Sequence, residues 1–233
     1  MDLNHYLENV LSKPFRKVVT DKPRQIAFEV FTEVIRNGAY SNLLLPQRLL
    51  TSGLDQRDKA FITELVYGSI RQLGRNDYIA AKFSSKPWSE VDSSIVDCIR
   101  IGAYQLFDMR VPTHAAVDAT VNLARQVAGE SKATFVNAIM RKLAAADLDS
   151  HLNDVQDDSV HSLSIRYSQP EWIINSYRDF ISNVDELKEL LHANNTPVKP
   201  VLVAWPTQSE PSEFSGVPGE YSPYAVHIDE IPN

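Results

Sequence analysis

Residues 24–38 read RQIAFEVFTEVIRNG, and the spacing of their apolar side chains decides the fold class. Ile26, Ala27, Val30, Phe31, Val34 and Ile35 fall at i, i+1, i+4, i+5, i+8 and i+9, which is one face of a helix of 3.6 residues per turn. Pro23 stands at the entry, where a missing N–H is not needed. Gly38 lies just past the end, where a left-handed cap favours a residue without Cβ.

The same periodicity recurs downstream. A second helix begins near Ser41, carries Leu43, Leu44, Leu45, Leu49 and Leu50, and closes at Gly53. Asp55 is placed to cap a third, with Asp58 adding negative charge to its first turn; it runs through Ala60, Phe61, Leu65 and Gly68 towards Arg71. A short helix is expected near residues 76–83, ended by Lys86-Pro87-Trp88. Residues 92–107, DSSIVDCIRIGAYQLF, place Ile95, Ile99, Gly102, Ala103 and Leu106 on one face. Pro112 opens a helix through Ala116, Val117, Val121 and Ala124, and Ser131 is expected to cap a last one with Phe135, Val136, Ile139, Met140 and Leu143. Nothing between residues 24 and 146 alternates as a strand does.

After residue 150 the texture changes. Residues 151–162 are polar and acidic and read as a linker. Residues 170–181 and 185–192 read as helices, and residues 198–205, VKPVLVAW, as a strand. Seven of the 13 prolines follow Asn195, so the end of the chain reads as loops between short extended pieces. The expected architecture is mainly α: an all-helical bundle over 21–150, a linker at 151–162, and a smaller α/β segment at 163–233, with residues 1–20 as an N-terminal extension.

Composition narrows the function classes. At 233 residues with 43% hydrophobic content, the chain can bury a substantial core. It has no apolar run of about 18 residues, the length a membrane span requires. Its N-terminus lacks the apolar stretch and small-residue cleavage site of a signal peptide. The single cysteine, Cys98, leaves no intrachain disulfide and fits a reducing cytoplasm. The net charge of −7 argues against a nucleic-acid partner until the chain is divided. Residues 1–150 hold 19 Lys and Arg against 17 Asp and Glu, whereas residues 151–233 hold 4 against 13. The basic side chains are therefore concentrated in the helical part.

Residues with catalytic potential are few. Cys98 lies mid-helix without the basic neighbours that lower a thiol pKa, so it reads as a small core residue. The eight glycines are scattered and form no G-x-G loop for a cofactor. The histidines show no i, i+3 or i, i+4 pairing, and no G-x-S-x-G elbow is present.

Four stretches together carry a resemblance: RQIAFEVFTEV (24–34), AFITELVYGSIRQLGRND (60–77), IRIGAYQLFDMRVPTHAAV (99–117) and FVNAIMRKL (135–143). In this order and spacing the sequence resembles the NusB-like domain at the front of the RsmB/Fmu/Sun family of rRNA 5-methylcytosine methyltransferases. The later stretches SIRYSQPEWIINSY (164–177), LLHANNTPVKPVLVAW (190–205) and SPYAVHI (222–228) are similar to the segment that leads into that family's catalytic domain. The resemblance implies a small-subunit rRNA partner. It also implies a catalytic domain that binds S-adenosylmethionine and carries two cysteines; the chain is expected to stop before that domain and to hold no cofactor itself.

The resemblance also implies that the basic entry to the first helix faces RNA, which makes Lys22 and Arg24 the first candidates. Arg71, Arg75, Lys82 and Lys86 extend the set, and Arg141 and Lys142 lie on the last helix of the bundle. Phosphate contact needs such cations on a rigid surface; the alternative for each is an ordinary solvated charge. Arg100 is expected to pair with Asp97, Asn137 to make a structural hydrogen bond, and Tyr104 and His114 to pack or cap. Tyr67, Tyr78 and Trp88 could stack on unpaired bases, but aromatics at helical spacing more often join the core, which is the reading favoured for them. Two function classes remain: the RNA-targeting part of an rRNA cytosine methyltransferase, or a stand-alone NusB-like antitermination factor. Residues 163–227 discriminate them, because a free-standing NusB would lack them. A helical adaptor using the leucine-rich second helix is a third reading.

Overall fold

The computed structural model describes residues 21–196 and 201–228, so the N-terminal extension at 1–20 lies outside the described residues. The chain divides into two compact units, Met1–Lys188 and Glu189–Asn233.

The first unit is helical. It comprises α1 (Lys22–Asn37), α2 (Ser41–Thr51), α3 (Gln56–Arg71), α4 (Leu73–Ala81), α5 (Ser93–Phe107), α6 (Thr113–Ala128), α7 (Glu130–Leu143), α8 (Leu148–His151), α9 (Val160–Tyr167) and α10 (Glu171–Arg178). The end signals act largely as their chemistry dictates. Asp21 accepts the Arg24 N–H, Asp55 accepts the Asp58 N–H at 2.8 Å, and Gly38 adopts φ +68°. One cap differs: Gly129, with φ +86°, precedes α7, and Ser131 lies inside the helix.

Helix α5 organises the bundle, packing against α1, α3, α4, α6 and α7. Ten of its residues are buried, running from Ile95 to Gln105 with only Arg100 between them partly open, so it is covered nearly all round and not on one face. Two crossings depend on missing side chains. A Cβ on Gly68 of α3 would lie 1.9 Å from the Tyr104 ring, and one on Gly102 of α5 would lie 2.6 Å from Thr120 Oγ1 of α6.

Polar groups on α5 are satisfied inside the bundle. The buried Asp97 carboxylate accepts from Arg36 Nε at 2.9 Å and Nη2 at 2.6 Å, from Arg100 Nη1 at 3.0 Å and from Thr32 at 3.3 Å. Arg100 reaches across to Asp77 of α4 through two bonds of 2.8 and 2.6 Å. One carboxylate thus ties α1, α5 and, through Arg100, α4. Cys98 is buried beside it; burial first, and then the Asp97 charge, push its thiol well above the ordinary thiol range.

Residues 151–162, read from sequence as a linker, are anchored within the first unit. Leu152 and Val155 are buried, and the His151 Nε2–H donates to the Leu143 carbonyl at 2.9 Å. The Asp158 carboxylate accepts from Lys188 at 2.8 Å and lies 3.6 Å from Arg166, while Arg178 donates to the Asp158 carbonyl at 2.5 Å. The described basic side chains past residue 150 thus all converge on one acidic turn. Ser168, in the left-handed region at φ +52°, accepts the N–H groups of Gly74 and Arg75 at 3.1 and 3.4 Å, which caps α4 from α9.

The boundary between the units falls within α11 (Val184–Asn195), later than the 150/163 division read from the sequence. The second unit holds β1 (Val201–Val203), β2 (Val217–Pro218) and β3 (Ala225–His227) in one antiparallel sheet of order β1-β3-β2. Val201 and Val217 both face His227 in register. The strand expected at 198–205 is realised in its centre, and residues 197–200 lie outside the described set.

Replacing Gly68 by alanine should lower unfolding free energy by about 1–3 kcal/mol through overpacking against Tyr104. Asp97→Ala should cost about 3–5 kcal/mol, because it leaves Arg36 and Arg100 without their shared carboxylate. Urea unfolding followed by circular dichroism measures both.

Candidate nucleic-acid interface

The candidate cations fall into two settings. At the entry to α1, Lys22 Nζ donates to the Ser52 carbonyl at 2.6 Å. Arg24 pairs with Asp21 at 2.5 Å, donates to Gln105 at 2.7 Å and stacks 4.8 Å from the Phe61 ring centroid. The cleft at this end is lined by Asp21, Asp55 and Asp58 together with Arg24 and Arg57. Three carboxylates beside two guanidinium groups make a poor phosphate surface. Lys22 and Arg24, first in the sequence-based order, are thus engaged in joining α1 to the α2–α3 turn and to α5.

Arg75 is also a correction. Its side chain is buried, forms a short ion pair with Asp108 and contacts the Asn76 amide oxygen. Burial pushes the Asp108 carboxyl up from its ordinary value while Arg75 pulls it down, which marks an internal pair and not a surface charge. Arg71 is exposed at the end of α3, where its charge is felt by Tyr104 and Asp108. The Tyr104 hydroxyl donates a short bond to Glu64 and packs over Gly68, consistent with its expected packing role.

The second setting brings candidates together. The α4–α5 connection carries Lys82, Phe83 and Lys86, and α7 runs beside it. Lys142 Nζ sits 5.8 Å from the Phe83 ring centroid. Lys86 shares a cleft of about 240 Å³ with Lys132, Phe135, Val91, Ile95 and Asp92. Lys132, Phe135, Ile139 and Lys142 follow one another at steps of three and four residues, so they form a stripe along α7 roughly 15 Å long. Lys132 was not singled out in the sequence and Phe135 was read there only as part of the apolar face; that spacing was the available signal. Among the described residues Lys86, Arg141 and Lys142 form no ion pair, and Arg141 donates only to Asn137, at 3.3 Å.

Two cations on this side are already partnered. Lys132 pairs with Asp92, whose carboxyl is held well below the carboxylate range first by that ammonium and then by Ser94. Lys82 donates to Asp154 at 2.6 Å and to the His151 carbonyl at 2.7 Å, and lies 4.3 Å from the Tyr78 ring centroid. The Tyr78 hydroxyl donates to Asp154 at 2.8 Å; burial first and this carboxylate second push its pKa up to about 12. Tyr78 is therefore tied into a small polar cluster, whereas Tyr67 and Trp88 are partly buried against the core.

Comparison with known proteins adds to this geometry. Residues 21–145 match the NusB family. This chain belongs to the NusB family. It is 33% identical over 222 residues to a putative methyltransferase of Mycobacterium tuberculosis, an alignment covering 91% of this chain and 49% of that protein. It is 31% identical over 157 residues to a probable ribosomal RNA small subunit methyltransferase B of Bacillus subtilis, covering 67% of this chain and 34% of that protein. The chain thus spans half or less of the length of these curated relatives. Among solved structures, PH0851 superposes with a TM-score of 0.60 at 11% identity, over 92% of this chain and 50% of that one, a likeness of fold. The resemblance to the NusB-like region of the rRNA methyltransferases stands on these matches. No helix among the described residues is long and apolar enough to cross a membrane.

The Lys82–Asp154 pair predicts an acid-side stability difference. The hydrogen bond from the Lys82 ammonium is the main cause that lowers the Asp154 carboxyl below its ordinary value, so the pair stabilises the fold above that value and is lost as pH falls through the lowered one. Asp154→Asn should melt at lower temperature than the parent chain near neutral pH. The gap should close as pH falls below about 4, the ordinary carboxylate pKa; thermal melts across a pH series check this.

Proposed function

We propose that this NusB-family chain is the RNA-binding, targeting portion of a small-subunit rRNA cytosine-C5 methyltransferase that depends on S-adenosylmethionine. The chain itself performs no methyl transfer. The observation that carries the RNA assignment is the α4–α5/α7 face, where Lys86 shares a cleft with Phe135 and Lys142 stands over Phe83, both without an ion pair among the described residues, and Arg141 precedes Lys142 on α7. Cations there contact phosphates, and the neighbouring rings offer apolar surface to bases.

The names of the relatives support the rRNA assignment, and the long alignment with the mycobacterial protein favours it over a free-standing antitermination factor, since it continues well past the 21–145 match. In this reading residues 21–150 bind RNA and the acidic remainder leads to the catalytic domain.

Two features support the non-catalytic reading. Attack on carbon 6 of cytosine requires a thiolate, and the Cys98 thiol is buried with its pKa pushed up. The described residues also do not fit S-adenosylmethionine. Their sheet is antiparallel and built of short strands, with no glycine-rich turn from a strand into a helix.

The test is binding of the chain to small-subunit rRNA fragments across a salt series. Affinity should fall with salt, and the triple variant Lys86→Ala/Arg141→Ala/Lys142→Ala should flatten the log–log salt slope by about 2, at about 0.7 per single-strand phosphate contact. Lys22→Ala should leave the slope unchanged. Equal slopes for the parent and triple variant would remove the proposed face, and no binding at low salt would remove the RNA assignment.

A further inference from the structure

The cleft between the α4–α5 connection and α7 has an apolar floor and a charged rim. Val91 and Ile95 are buried and Phe135 is half-buried, whereas Lys86, Asp92, Ser131 and Lys132 are exposed. Its volume of about 240 Å³ lies below the roughly 300–1,000 Å³ of pockets for drug-sized ligands and suits one small planar ring system.

One rim group is out of place on a surface that meets phosphates. The Asp92 carboxylate stands beside Lys86 and Lys132, where its charge opposes a polyanion. It stays ionised, because the Lys132 ammonium first and Ser94 second hold it well below the carboxylate range. Its local bonds do not saturate it. Oδ1 accepts the Ser94 N–H at 2.9 Å and the Ser94 hydroxyl, and Oδ2 accepts only from Lys132 among the described residues. An ionised carboxylate has about four acceptor sites, so Oδ2 keeps room for a further donor. Neither the Lys86 ammonium nor the Ser131 hydroxyl has a partner among the described residues, so donors stand free on the same rim.

This mixture sorts the bases. Phosphates are common to all RNA and go to Lys86 and, along α7, to Lys142. Asp92 acts on the base edge. Cytosine, adenine and guanine carry an exocyclic amino group that donates to a carboxylate, whereas uracil presents the O4 acceptor in that place. The same carboxylate therefore attracts one kind of base and repels the other.

We propose that this cleft holds one unpaired nucleobase bearing an exocyclic amino group, with Phe135 against its face, Asp92 accepting its amino N–H and Lys86 on the adjoining phosphate, an inference that rests on the RNA-binding assignment above. Uracil is then the base the cleft rejects.

Short single-stranded cytidine and uridine homopolymers test this on the full chain, since their bases differ at the exocyclic group and the ring nitrogen beside it. By fluorescence anisotropy at low salt the cytidine strand should bind about tenfold more tightly, the size of one hydrogen bond to a charged group. Asp92→Asn keeps a good helix cap. Its amide both accepts and donates, so it serves either base, and the preference should fall below about threefold. Phe135→Leu, which removes the ring and keeps apolar bulk, should weaken both strands by about fivefold or more and leave the preference in place. Methyl NMR on the natural chain supplies a readout that needs no variant: the cytidine strand should shift Val91 and Ile95 and leave Leu45 of α2, which packs on α1 and α3, unmoved. Equal or reversed affinities on the natural chain, a preference undiminished by Asp92→Asn, or unshifted Val91 and Ile95 methyls would overturn the proposal and leave the RNA-binding assignment standing. No binding of either strand or of rRNA fragments at low salt would remove that assignment and the proposal with it.

Discussion

The buried carboxylate of Asp97 is the constraint around which the helical unit is arranged. A charge taken out of water must be fully partnered, since an uncompensated buried charge costs several kcal/mol, roughly 3–5 when one partner is removed. Arg36 from α1 and Arg100 from α5 itself supply that compensation, and Arg100 carries the connection on to Asp77 of α4. Apolar packing alone would allow neighbouring helices to slide by a turn. A bidentate guanidinium–carboxylate geometry does not. The network fixes α1 and α4 on α5, while the close approaches at Gly68 and Gly102 set how α3 and α6 pack on the same helix.

This use of charge bears on where RNA could bind. Much of the basic content of the first 150 residues is not available to a ligand: Arg24, Arg36, Arg75, Arg100 and Lys82 each have a carboxylate partner inside the fold. What remains open is unevenly distributed. The α1 entry mixes cations with aspartates, whereas the α7 side presents Lys86 beside Phe135 and Lys142 over Phe83, with Arg141 next to Lys142 in the chain. A count of charges along the chain could not separate these ends, because ion pairs join residues as far as 72 positions apart, as for Lys82 and Asp154.

The acidic segment past residue 150 shows the converse. Its excess of carboxylates suggested a solvated linker, yet Asp158 is the point on which Arg166, Arg178 and Lys188 converge. Together with Ser168 capping α4, this joins α9 and α10 to the bundle, and the boundary between compact units moves to Lys188 and Glu189. Local composition described the texture correctly and the boundary poorly, because long-range pairs decide where a unit ends.

Periodicity, caps and breakers determined the helical class and most helix ends, since these depend on contacts within a few residues along the chain; the central position of α5, buried nearly all round, was decided by the packing of the other helices. The pattern of stretches from 24 to 143 was likewise legible and is matched by the NusB family over 21–145. Only the tertiary structure decided which cations are paired. Arg75 and Lys142 look alike in the sequence; one is buried against Asp108 and the other stands over Phe83 at the surface. The difference arises because burial and ion pairing are set by residues distant in the chain, which neither spacing nor composition can bring together.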